Sequence, residues 1–146
     1  MSLANIKIID GDIFTASEDY FIAHQCNCVT TDSRGLAKSI FDRFPDANTY
    51  NNNQIKRIPG QISIHGRIIN LYAQKYPGYN KYNEKREIWF RECLNKISYA
   101  GIKKIAMPEL IGCDLACGDP IIYRQIINEW SLSNPDIDIV SYRYNK

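Results

Sequence analysis

The chain has 146 residues, of which 45% are hydrophobic and 23% charged, and a formal net charge of +2. That length and balance describe one ordinary domain, residues 1–146, able to bury a core without cross-links. The small charge, with Lys and Arg scattered and the densest group (Lys81 to Arg91) interleaved with Glu84 and Glu87, excludes the clustered basic stripe of a dedicated nucleic-acid binder.

In chain order, Asn5 to Asp10 reads as a strand closed by Gly11 and Asp12. Tyr20 to Cys28 is a nearly continuous apolar run, as expected of a strand covered on both faces. From Gly35 to Phe44 the apolar positions Leu36, Ile40, Phe41 and Phe44 recur at helical spacing, with Pro45 beyond. Thr49 to Lys56 is the most polar stretch and reads as a surface loop or ragged helix. Gln61 to Ile64 and Ile68 to Gln74 read as strands around a His65-Gly66 turn. Lys75 to Asn83, with Pro77, Gly78 and three tyrosines, reads as an exposed loop. Glu84 to Ala100 is the longest helix candidate, with an apolar face of Ile88, Trp89, Leu94, Ile97 and Ala100. A short strand from Lys104 to Met107, a loop from Pro108 to Asp119, a helix from Pro120 to Trp130 and a strand from Ile137 to Tyr142 complete the chain.

Strands alternating with helices predict a three-layer α/β/α fold around a mixed, mostly parallel sheet. In such sheets ligands gather at the carboxyl ends of the strands. Three strand ends stand out: Gly11-Asp12-Ile13, then Asn27 through Ala37, then Pro108 through Pro120. The last two are strand–loop–helix units with small residues at the bend, where backbone amides and a helix dipole favour an anion. Neither has the Gly-Lys-Ser/Thr of a P-loop, and the dinucleotide fingerprint does not follow the first strand.

His24-Gln25-Cys26-Asn27-Cys28, then Arg34-Gly35-Leu36-Ala37 and a helix ending Arg43-Phe44-Pro45, resembles the first binding loop of macro domains. Met107-Pro108, Ile111-Gly112-Cys113, Leu115-Ala116 and Gly118-Asp119 resemble their second loop. Gly11-Asp12-Ile13, Asn70-Leu71 and Gln74 fit in order and spacing. The resemblance covers nearly the whole chain and is closest to the single-domain branch of ADP-ribose 1''-phosphate phosphatases and ADP-ribosyl-glutamate hydrolases. It implies that Asp12 meets the adenine amino group beside Ile13, and that Asn27 binds the distal ribose. Gly35, Leu36 and Ala37 would hold phosphate and distal ribose. Gly112, Cys113, Asp114, Leu115, Ala116, Cys117 and Gly118 would wrap the diphosphate, and Tyr142 or Tyr144 would pack on the adenosine half.

The implied activity is hydrolysis of an ADP-ribose derivative, most specifically removal of the 1''-phosphate, with Asp114 or His24 orienting the water. Alternatives are a pure ADP-ribose-binding module and a de-ADP-ribosylase removing ADP-ribose from modified macromolecules. A cleft blocked by Asp114 and Arg34 and serving only as a protein contact surface is a further alternative. Relatives carry glycine at the places of Asp114 and Cys117, and tryptophan at that of Pro120. In relatives acting on glutamate-linked ADP-ribose, a lysine before the long helix works with a second-loop aspartate, and Ala116 stands near that aspartate's place.

Several residues also have plainer readings. Asp12 suits a turn, and Asp119 before Pro120 suits a helix cap. A local backbone partner would satisfy Asn27 as a ligand would. His24 suits a buried, hydrogen-bonded structural role; it differs from Asn27 in parity and lies roughly 10 Å from it along a regular strand. Cys26 and Cys28 share a strand face and read as core. Cys113 and Cys117 lack two further ligands for zinc, so no metal and no cofactor are expected. Trp89 and Trp130 read as packing residues. No apolar run reaches the length of a membrane span, and no secretion signal is visible. Five cysteines without a C-x-x-C pair suit a reduced, cytoplasmic setting. A small monomer is the expected form.

Overall fold

The computed structural model describes residues 6–52, 54–113 and 116–144. Six strands form one sheet: β1 (Ile6–Asp10), β2 (Phe21–Gln25), β3 (Ile62–His65), β4 (Ile68–Leu71), β5 (Lys104–Pro108) and β6 (Asp138–Arg143), in the order β1-β6-β5-β2-β4-β3. Every neighbouring pair is parallel except the β3–β4 hairpin. Gly66 turns that hairpin at φ 60°, a left-handed conformation that costs glycine little. Three helices complete the fold: α1 (Gly35–Arg43), α2 (Arg86–Tyr99) and α3 (Pro120–Ser133).

The three layers follow from side-chain alternation along the strands. Ala23, Ile69, Ile105, Met107 and Ile139 point to one face, where they meet Phe90, Leu94 and Ile97 of α2 and Ile126 and Trp130 of α3. Ile22, Ile68, Ala106 and Val140 point to the other and meet Ile40 and Phe41 of α1 with Tyr50. The sheet thus separates two cores. Because five strands run in parallel, the segments after β1, β2, β4, β5 and β6 all leave from the same edge.

The structure corrects the sequence reading in four places. The second strand stops at Gln25, so Cys26 and Cys28 lie beyond it, the first buried and the second half-buried. The polar stretch from Thr49 is no surface loop at its start. Thr49 and Tyr50 are buried, and the Thr49 hydroxyl shares a hydrogen bond of 2.6 Å with the Tyr72 hydroxyl. The buried stripe of α2 is Arg86, Phe90, Cys93, Leu94 and Ile97. Ile88 is 53% exposed, and Ala100 lies past the helix end. Finally α3 has 14 residues, as many as α2.

Candidate functional site

Tight turns carry the chain out of β1 and into the site. Gly11, still bonded through its amide to the Arg143 carbonyl at 2.9 Å, leads into Asp12. The Asp12 carboxylate accepts from the Phe14 amide at 2.9 Å and caps a single 3-10 turn at Ile13–Thr15. Ile13 commits its side chain to the α1-side core, as does Tyr142 of β6, whereas Tyr144 is exposed.

The segment after β2 turns on Asn27. Its Oδ1 accepts from the amides of Val29 and Thr30, at 3.1 and 3.0 Å, and from the Thr30 hydroxyl at 3.0 Å. Its own amide donates to the Tyr50 hydroxyl at 2.9 Å, and its carbonyl accepts from Arg57 at 3.3 Å. The plain local reading of Asn27 therefore accounts for its oxygen. Among the described residues no hydrogen bond uses its Nδ2. Eight residues on, α1 begins at Gly35. Arg34 occupies its N-cap in an extended conformation and gives no side-chain cap, and Gly35 follows at φ 58°. The amides of Gly35, Leu36 and Ala37 have no carbonyl one turn earlier to accept them. This helix start is open to an anion.

The segment after β5 is built on Tyr123, a buried α3 ring packed 4.9 Å from Phe90. A Cβ at Gly112 would lie 2.4 Å from that ring and 2.9 Å from Gln25 Oε1. At Gly118 it would lie 2.4 Å from the Gly112 carbonyl, which accepts the Gly118 amide at 3.0 Å. Both glycines are required by close approach, and Gly112 also by its φ of 77°. Cys117, between them, is left-handed at φ 57° although it is not glycine. Asp119 caps α3 by accepting from the Ile121 amide at 2.9 Å, with Pro120 in the first turn. Asp114 and Leu115, both expected in the site, lie outside the described residues.

A third segment joins these two. The Cys28 amide donates to the Lys75 carbonyl at 2.9 Å, tying the first loop to residues 75–83. Gln25 Nε2 donates to Gln74 Oε1 at 2.5 Å, and Gln74 Nε2 in turn to the Tyr76 carbonyl at 2.9 Å. Among the described residues, buried Gln25 Oε1 has no partner, and it faces Gly112. Arg86, in the first turn of α2, reaches the second loop through a 3.3 Å bond to the Ala116 carbonyl.

The charged cluster from Lys81 to Arg91 thus hides a buried ion pair. Arg86 Nε lies 2.8 Å from Glu84 Oε2, with both side chains nearly inaccessible. Burial pushes the Glu84 carboxyl up, but Arg86 and the amides of Lys75 and Tyr76 outweigh it and hold it below the usual range. The helical spacing of Arg86 with Phe90, Cys93, Leu94 and Ile97 was the signal that could have revealed it.

His24 is a correction to the expected chemistry. It is 2% exposed, and its Nε2 lies 2.6 Å from Asn70 Oδ1. The Asn70 amide continues to the Ala47 carbonyl at 2.8 Å. Burial, only partly opposed by the Asn70 bond, lowers the imidazole from 6.5 to about 4. The residue is a neutral, buried part of the core. Cys26, Cys28, Cys93 and Cys113 are free thiols. Burial raises Cys28 and Cys113 to about 11, so neither is a thiolate near neutral pH. Among the described residues no group of His, Cys, Asp and Glu is arranged to hold a metal ion. No helix there is long and apolar enough to cross a membrane.

No protein-family model matches the chain, and no curated protein matches it in sequence. Solved structures do resemble it. The macrodomain of Mycobacterium tuberculosis DarG superposes with a TM-score of 0.76 at 20% identity, over 94% of this chain and 96% of that one. Thermosipho africanus DarTG in complex with ADP-ribose gives 0.70 at 18% identity, over 95% of this chain and 41% of that one. An Oceanobacillus iheyensis macrodomain with ADP gives 0.66 at 18% identity, over 97% and 83%. The chain has the macrodomain fold.

Proposed function

We propose that the edge where β1, β2, β4, β5 and β6 end binds ADP-ribose. The observation that carries this reading is the open start of α1, with Gly35 left-handed and no side-chain cap, beside a second loop whose glycines bring backbone close to the cleft. Phosphate oxygens would accept from the α1 amides, and the amides between Gly112 and Gly118 would hold the rest of the diphosphate. Asp12 would accept from the adenine amino group, with Tyr142 or Tyr144 against the adenosine half. Asn27 would offer its Nδ2 to the distal ribose while its Oδ1 holds the loop. The fold shared with the Thermosipho protein and its ADP-ribose supports the same reading.

The proposed activity is removal of the 1''-phosphate from ADP-ribose 1''-phosphate in the cytoplasm. Water adds to phosphorus, the bond from phosphorus to the 1''-oxygen breaks, and a proton passes to that oxygen. Asp114 would orient the water, and positioning with electrostatics would supply the acceleration. With His24 buried and the Cys28 and Cys113 thiols protonated, none of these three side chains is suited to act as a general base. That observation favours a second reading, a monomeric binding module without turnover.

Calorimetric titration with ADP-ribose beside AMP and ribose 5-phosphate tests the site. Micromolar or tighter binding, about −8 kcal/mol, is expected. No heat from a folded protein rejects the reading. Phosphate release that is abolished by Asp114→Ala while binding persists would establish the activity; binding without release selects the module.

A further inference from the structure

We infer that Glu84 and Arg86 form a clamp that sets the second loop against the 75–83 segment and the first loop, making Arg86 a positioning residue for the site. The inference rests on the proposed nucleotide reading for its ligand, but its geometry stands on independent contacts. The guanidinium donates four bonds: to Glu84 at 2.8 Å, to the carbonyls of Gly78 and Tyr76 at 2.7 and 2.9 Å, and to that of Ala116 at 3.3 Å. The Glu84 carboxylate accepts from the amides of Lys75 and Tyr76 at 3.0 and 2.8 Å. Lys75 in turn accepts from Cys28. The 75–78 segment and the second loop meet on one ion pair, and the first loop is tied to it through Lys75.

A buried ion pair is a poor way to stabilise a core, because apolar side chains of the same volume do as well or better. Here the donors are spent on loop carbonyls rather than on packing. Arg86 stands on the buried stripe of α2, where an apolar residue would otherwise complete the core. Its planar fork suits several carbonyls held at fixed angles, which a lysine ammonium cannot reproduce. The partner at Ala116 lies two residues from Gly118, whose packing on Tyr123 shapes the second loop. The Asp12 end of the site has no contact with the pair. A displaced clamp should therefore disturb the diphosphate and distal-ribose half and spare the adenine half.

Arg86→Lys tests this, with Glu84→Gln carrying the same readouts should the first variant not fold. ADP-ribose affinity should fall about tenfold or more, while AMP, held at the Asp12 end, should stay within about twofold. In amide NMR spectra the Gly112 and Gly118 signals should move while those of Gly11 and Gly66 stay. Equal losses for both ligands, or no loss for either, would overturn the clamp as a positioning device. If the wild-type protein binds no ADP-ribose, the nucleotide reading falls and the spectra alone decide. Unmoved Gly112 and Gly118 signals would then reject the clamp, and displaced ones would sustain it.

Discussion

The segments after β2 and after β5 share one plan, a parallel strand, a bend with small residues and a helix, yet their helices begin in opposite ways. At α1 the N-cap is Arg34, with no side-chain cap, and Gly35 is left-handed. At α3 the Asp119 carboxylate already occupies an amide of the first turn, and Pro120 supplies none. Of these two helix starts, the one at α1 is therefore open to a ligand anion. The second loop has to act through amides in its bend, shaped by glycines packed on Tyr123. Two sequence stretches that look equivalent as anion cradles are thus one helix terminus and one backbone arch.

The arch should be the more fragile of the two. Gly118→Ala drives a methyl group into the Gly112 carbonyl and should lower stability by about 3 kcal/mol, read by chemical denaturation. A loss below about 1 kcal/mol would mean that the loop has room to yield. The first unit carries its own vulnerability beneath β2. Folded His24 titrates at about 4, well below the 6.5 of an unperturbed imidazole. Between those values the unfolded chain takes up a proton that the folded state refuses, so stability falls as pH drops through that window. The total is about 3 kcal/mol. In His24→Gln the unfolding midpoint should lose most of this slope between about pH 6.5 and 4.

The caps sharpen the contrast more directly. Arg34→Asp should supply the missing α1 cap and raise stability by about 1 kcal/mol, while its carboxylate repels the ligand anion and weakens ADP-ribose about tenfold or more. Asp119→Ala should cost about 1 kcal/mol and leave ADP-ribose binding intact. If the two substitutions change binding alike, the helix starts do not differ as described. The smallest effect belongs to Cys117. Relieving its left-handed backbone with Cys117→Gly should raise the denaturation midpoint by up to about 1 kcal/mol in stability.

Much of this protein was legible in the sequence because its signals are local. The strand–helix alternation, the His65-Gly66 turn, the Asp119-Pro120 helix start and the packing role of Trp130 each depend on a few consecutive residues. The same holds for the resemblance to macro domains, carried by short motifs in fixed order. The fold confirmed there needs no remote contact to be recognised.

What the sequence could not decide is where each polar group finds its partner. His24 binds Asn70, 46 positions away, and so is a buried part of the core. Glu84 and Arg86 sit in a charged run that looks exposed, yet both side chains are nearly inaccessible, because two separate loops bring backbone groups to them. Asn27 could serve a ligand or its own turn, and the tertiary structure assigns its oxygen to the turn. Hydrophobic periodicity is written residue by residue, whereas the satisfaction of a buried polar atom depends on chain segments that only folding brings within 3 Å of each other. The layers were legible in the sequence by itself, whereas tertiary contacts decided which of its polar residues are satisfied inside the fold.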